Sequence, residues 1–130
     1  MVQKNRVVLA NESRLLRDML KRAIDKTSDL EFVDEVLDPA RLVPVVETRR
    51  AHWAIVSLSS DGSLPAVADR VVRQCTSASI LGVAIDGTVA KIRSGTSDER
   101  VLDHLSLPEL ISVLTKDGLP TRERPRERLR

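Results

Sequence analysis

The first cluster of apolar positions is Arg6-Val7-Val8-Leu9-Ala10. A short uninterrupted apolar run predicts a strand buried on both faces, as in a parallel sheet. Asn11-Glu12-Ser13 breaks the run, and Ser13 is a good N-cap. Beyond it Leu15, Leu16, Met19, Leu20, Ala23 and Ile24 recur at helical spacing. Arg14, Arg17, Asp18, Lys21 and Arg22 fall largely off that stripe. The pattern predicts an amphipathic helix lying on a sheet.

The alternation continues down the chain. Leu30 to Leu37 reads as a second, more polar strand at a sheet edge. Asp38-Pro39 pairs an N-cap with a proline at the first helical position. The helix it opens runs to about Arg50, with Pro44 expected to kink it or delay its start. Trp53 to Leu58 is a third strand, and Ser59-Ser60-Asp61-Gly62-Ser63 a loop. A helix is predicted from about Pro65 to Cys75, with Val67, Val71 and Val72 inward. Ile80 to Ile85 is a fourth strand, ending at the turn signal Asp86-Gly87. Thr88 to Arg93 reads as a short helix and Gly95 to Asp98 as a loop. Val101 to Leu105 is a fifth strand. Ser106-Leu107-Pro108-Glu109 is a capping box opening a last helix to about Lys116, before Gly118 and Pro120. Five β-α units predict a flavodoxin-like, doubly wound, five-stranded parallel sheet of order 2-1-3-4-5 with helices on both faces. That domain spans residues 1–120. Residues 121–130, rich in Arg and Glu, form a tail without the apolar atoms to build a core.

Composition narrows the function classes. The chain has 130 residues, room for one core. One cysteine and two histidines leave no multi-cysteine or zinc framework. Aromatic residues are 2%, too few for base-stacking platforms. No apolar stretch resembles a signal peptide or a membrane span, so a cytoplasmic protein without membrane attachment is expected. The net charge of +2 comes from the tail, which carries +3 and leaves −1 for the other 120 residues. The body is therefore not a basic nucleic-acid surface.

In an open parallel sheet the functional crevice lies beyond the carboxyl ends of the strands. Here that locus holds Ala10-Asn11-Glu12, Ser57, Ala84 and His104. The opening RVVLANESRLLRDML resembles that of response-regulator (CheY-like) receiver domains, most closely the receiver branch of LuxR/NarL-type regulators, whose members start RVLLADDHPLVREGL. The match is ungapped across the first strand and helix. SLPELISVLTKDG is similar to the last helix of that branch, and the resemblance covers residues 5–118.

The resemblance implies a site. The family's magnesium-holding acidic pair falls on Asn11 and Glu12, of which one keeps its charge. The phospho-acceptor aspartate falls on Ser57, the switch hydroxyl on Ala84 and the lysine on His104. Magnesium binds through carboxylates and phosphates, and Glu12 beside Asn11 and Ser57 is a poor octahedral site. Without metal and cation, the charge of a transferring phosphoryl group goes uncompensated. Ser57 as a new nucleophile needs a base, for which His104 is the one candidate.

The expectation is thus a pseudo-receiver: no enzyme, no cofactor, no bound metal, but a phosphorylation-independent signalling adaptor with protein partners. The family docks or dimerises through a face that here spans Thr88–Lys116, so a homodimer through it is one arrangement. The chain ends before any DNA-binding domain, and Glu123 and Glu127 dilute the arginines of the tail, so nucleic acid is disfavoured as a partner. Three alternatives stay open: an active receiver using Asp61 or Ser57, a small-molecule binder using the space vacated above Ser57 and Ala84, and nucleic-acid binding through the tail. Trp53, at a strand start, is expected under a helix rather than at a partner surface.

Overall fold

The computed structural model describes residues 4–75, 77–84, 89–94, 98–103 and 106–115. Strand β1 (Asn5–Ala10) leads into helix α1 (Arg14–Asp25) and strand β2 (Leu30–Glu35). A short 3-10 turn over Pro39–Arg41 runs into helix α2 (Leu42–Arg49). Strand β3 (Trp53–Ser57), helix α3 (Ala66–Gln74) and strand β4 (Ser79–Val83) follow. The chain continues with β5 (Val89–Ser94), β6 (Asp98–Asp103) and helix α4 (Leu107–Thr115).

The sequence signals at the helix starts hold. The Ser13 hydroxyl accepts from Leu16 N–H at 3.2 Å and caps α1. Asp38 caps the 3-10 turn, with Pro39 at its start. Ser106 and Glu109 exchange the reciprocal bonds of a capping box, 2.8 Å and 3.4 Å. Pro44 sits in the first turn of α2, where its missing N–H leaves no helical bond unmade.

The sheet is six-stranded and mixed, in the order β2-β1-β3-β4-β5-β6. The first four strands of that order are parallel. Strand β5 pairs antiparallel with β4, Val83 opposite Ala90, and β6 pairs antiparallel with β5. The expected five-stranded all-parallel sheet with five helices is therefore wrong, and four helices are present among the described residues. The error lies at Thr88 to Arg93, read as a helix. Val89 to Ser94 is a strand in which Ala90 and Ile92 are buried and their neighbours half-exposed, a period of two. The edge of β4 gives the physical reason. Chain length left room for a helical crossover between Ile85 and Val101. Instead Ala90 to Ser94 pair along the whole of β4, from Val83 to Ser79, and a ladder of that length outweighs a single short helix. Asp86-Gly87, between two apolar runs, was the local hairpin signal, although residues 85–88 lie outside the described set.

Two layers cover the sheet. Leu20 and Ile24 of α1 and Leu110 and Leu114 of α4 pack on Val7, Leu9, Trp53, Ile55, Leu81 and Ile92. On the opposite face α2 and α3 pack through Leu42, Val46, Val67 and Val71 on Val8, Ala54, Val56 and Ile80. Trp53 is fully buried beneath α4, and its Nε1 donates to the Leu114 carbonyl at 3.1 Å. Gly82 permits a close approach on the α3 side. A Cβ there would lie 2.5 Å from Leu64 and 2.7 Å from Leu58, so the loop after β3 rests on bare backbone.

The stripe read on α1 needs one correction. Leu15 and Met19 are 72% and 38% exposed, while Arg17 is buried with Leu20 and Ile24. Arg17, Leu20 and Ile24 follow i, i+3, i+7, the same helical period offset by a rotation.

Candidate functional site

The carboxyl ends of β1 and β3 bring Asn11, Glu12 and Ser57 together. Asn11, fully buried, donates from Nδ2 to the Val56 carbonyl at 3.3 Å and accepts from Ser13 N–H at 2.9 Å. The Ser57 hydroxyl, itself buried, accepts the Glu12 backbone N–H at 2.7 Å. These bonds tie the β1–α1 connection to the end of β3 with neutral groups. The Glu12 side chain is exposed. Ala84 follows the last residue of β4 and donates its N–H to the Val89 carbonyl, opening the pairing with β5. His104, the fifth expected site position, lies outside the described residues.

A second set of polar groups fastens the same loop. Arg17 reaches from α1 and donates from Nη1 to the Asn11 carbonyl at 2.7 Å. Its Nε lies against a Glu35 carboxylate oxygen as an ion pair, without the alignment of a hydrogen bond. Lys21 holds the other oxygen at 2.9 Å. The Lys21 contact holds the Glu35 carboxyl below its ordinary value of 4.5; burial opposes this and Arg17 adds to it. A depressed carboxyl stabilises the fold above its unfolded pKa, and that contribution is lost as pH falls through the lower folded value. Urea midpoints measured from about pH 5 to about pH 3 should therefore fall further for the native chain than for Glu35→Gln, by about 1 kcal/mol of stability. Parallel pH profiles for the two proteins would remove Glu35 as the cause.

Beside these residues a cavity of about 260 Å³ opens between the β2–α2 connection and the first turns of α3. Its floor is Ala10, Val56 and Ser57, and its walls include Val36, Leu42 and Val67. Leu37 and Pro39 form one lip and Pro65 and Ala66 the other. Glu12 and Arg70 are the charged members of the lining. The cavity lies over β1 and β3, towards β2; the expected space above Ser57 and Ala84 is displaced, since Ala84 is not part of the wall.

Asp61 does not join this group. Its Oδ1 accepts the Ser63 N–H at 3.0 Å and the Ser63 hydroxyl at 2.6 Å, which hold its carboxyl below the ordinary range. It closes a turn in which Gly62 takes φ +86°. Among the described residues no three His, Cys, Asp or Glu side chains converge as a metal site. No described helix is long and apolar enough to cross a membrane.

The sequence reading missed Arg17, Glu35 and Arg70 at this site. The i, i+3, i+7 relation to Leu20 and Ile24 was the available sign for Arg17. Glu35 and Arg70 carried none, because strand pairing and helix docking bring them here from 18 and 53 residues beyond Arg17. Compared with known protein families, curated proteins and solved structures, the chain matches none.

Proposed function

We propose that this chain is a receiver-like regulatory module that has lost phosphoryl transfer and acts through protein–protein contacts. The observation that carries this reading is the state of Ser57. The residue aligned with the phospho-acceptor is buried, and its oxygen already accepts the Glu12 N–H. A serine hydroxyl must lose a proton to attack, whereas an aspartate is ionised at neutral pH. Asn11, aligned with one of the magnesium carboxylates, spends its amide on the Val56 carbonyl. Little remains there to bind a metal or offset phosphoryl charge.

The contacts are proposed for the side formed by β5, β6 and α4, within the Thr88–Lys116 stretch. Strand β6 is an edge of the sheet, and Val101 on it is 56% exposed. Edge strands present unpaired backbone groups to a partner.

Acetyl phosphate, or beryllofluoride with magnesium, is expected to leave the intact mass and the amide resonances around Ser57 unchanged. Stoichiometric modification at Ser57 or Asp61 would overturn the proposal and make this a working receiver. The contact arm is read with Val101→Glu, which should strip proteins that co-purify with the unmodified chain. A co-purification pattern untouched by Val101→Glu places the contacts elsewhere.

A further inference from the structure

We propose that the cavity over β1 and β3 binds a free apolar amino acid. This inference stands apart from the receiver-like reading and rests on the shape and charge of the cavity. In a sheet whose strand order reverses, ligands bind beyond the carboxyl ends at the point of reversal. Strand β1 lies between β2 and β3, so the chain leaves it in one direction and returns on the other side. Ala10, Val56 and Ser57, at the carboxyl ends of β1 and β3, form the cavity floor.

Size sets the first limit. A dry apolar cavity of about 150 Å³ accepts benzene. The 260 Å³ here suits about ten non-hydrogen atoms by the same scale. A ligand enclosed there is smaller than a nucleotide. Val36, Leu42, Val56 and Val67 are buried apolar walls. Leu37, at the lip, is 69% exposed and gains burial against an apolar ligand.

Charge sets the second. Glu12 and Arg70 line the same cavity, and neither side chain has a hydrogen-bond or ion-pair partner among the described residues. A simple carboxylate would meet the Arg70 guanidinium but be repelled by Glu12. A simple amine would meet Glu12 but be repelled by Arg70. A ligand with both groups answers both charges, and the guanidinium fork suits a carboxylate. An α-amino acid with a branched aliphatic side chain is the compact molecule that adds an apolar body of the right volume.

Leucine, 4-methylpentanoate and 3-methylbutylamine separate these requirements, since the last two lack the amino and the carboxyl group respectively. Leucine should give saturable amide shifts at Ser57, Ala66 and Val67, with an affinity about tenfold or more above either analogue. Arg70→Gln and Glu12→Gln should each weaken leucine binding about tenfold. Both side chains are exposed, so the variants keep the core, which circular dichroism verifies. Equal affinity for the single-charge analogues, leucine binding undiminished in both variants, or no saturable shift with leucine overturns the proposal.

Discussion

Trp53→Ala is expected to lose about 3–5 kcal/mol of stability, the range for truncating a buried large aromatic residue. A domain of this kind has about 5–15 kcal/mol in total, so the variant should be partly unfolded at ambient temperature or close to it. Two effects add. The indole is fully buried between β1, β3 and α4, and its loss opens a void that the layer cannot close. The Nε1–H bond to the Leu114 carbonyl is also lost. Trp53→Phe separates them. It keeps most of the packing, and the Leu114 carbonyl still accepts from Asn5 Nδ2 at 2.8 Å, so the cost should be about 1 kcal/mol. Adding Asn5→Ala removes that remaining side-chain bond from a carbonyl in the last turn of α4, and the double variant should lose more than the sum of the singles. Urea unfolding followed by far-ultraviolet circular dichroism measures these variants together with the Asn5→Ala single. A Trp53→Ala protein as stable as the native one would mean that α4 does not dock where it is placed here.

The second large effect is expected from placing carboxylates at positions 11 and 57. Asn11→Asp with Ser57→Asp should lose roughly 3–5 kcal/mol in the absence of divalent ions, the cost of buried charge without a partner. At Asn11 a carboxylate oxygen would face the Val56 carbonyl, where the amide now donates. At Ser57 a second carboxylate would enter the same buried crevice as the one at position 11, and repulsion with desolvation would push the pair towards protonation. Millimolar magnesium should restore about 1–2 kcal/mol by binding the folded state alone. The unmodified protein should show no such response. Thermal melts with and without magnesium read the difference. A double variant that folds yet ignores magnesium would break the correspondence between this crevice and a receiver's, and the receiver-like reading with it.

Much of the parallel half of the molecule was legible along the chain. Val7-Val8-Leu9, short and mostly β-branched in a run bounded by polar residues, suits a strand covered on both faces, since neither face of it can meet water without cost. Ser13, Asp38 and the Ser106–Glu109 box marked helix starts through bonds made within four residues. Those features depend on neighbours in sequence, so local pattern was enough to place them.

The stretch from Val89 to Ser94 depended on more distant partners. A six-residue window with Val89, Ala90 and Ile92 among basic residues suits a short helix or a half-buried strand. The antiparallel edge of β4 decided between them by supplying a ladder that no isolated helix of that length could match. Arg17 likewise has helix-surface chemistry. It is buried because β2 carries Glu35 to it, and the ion pair offsets part of the desolvation that a lone guanidinium would suffer. The cavity is the clearest case. Its walls come from three connections, and its two charges, Glu12 and Arg70, lie 58 residues apart. Local sequence sets which residues prefer strand, helix or cap. Which side chains enclose a space is settled only when sheet order and helix docking bring distant segments together, since that enclosure is a long-range packing energy with no local counterpart.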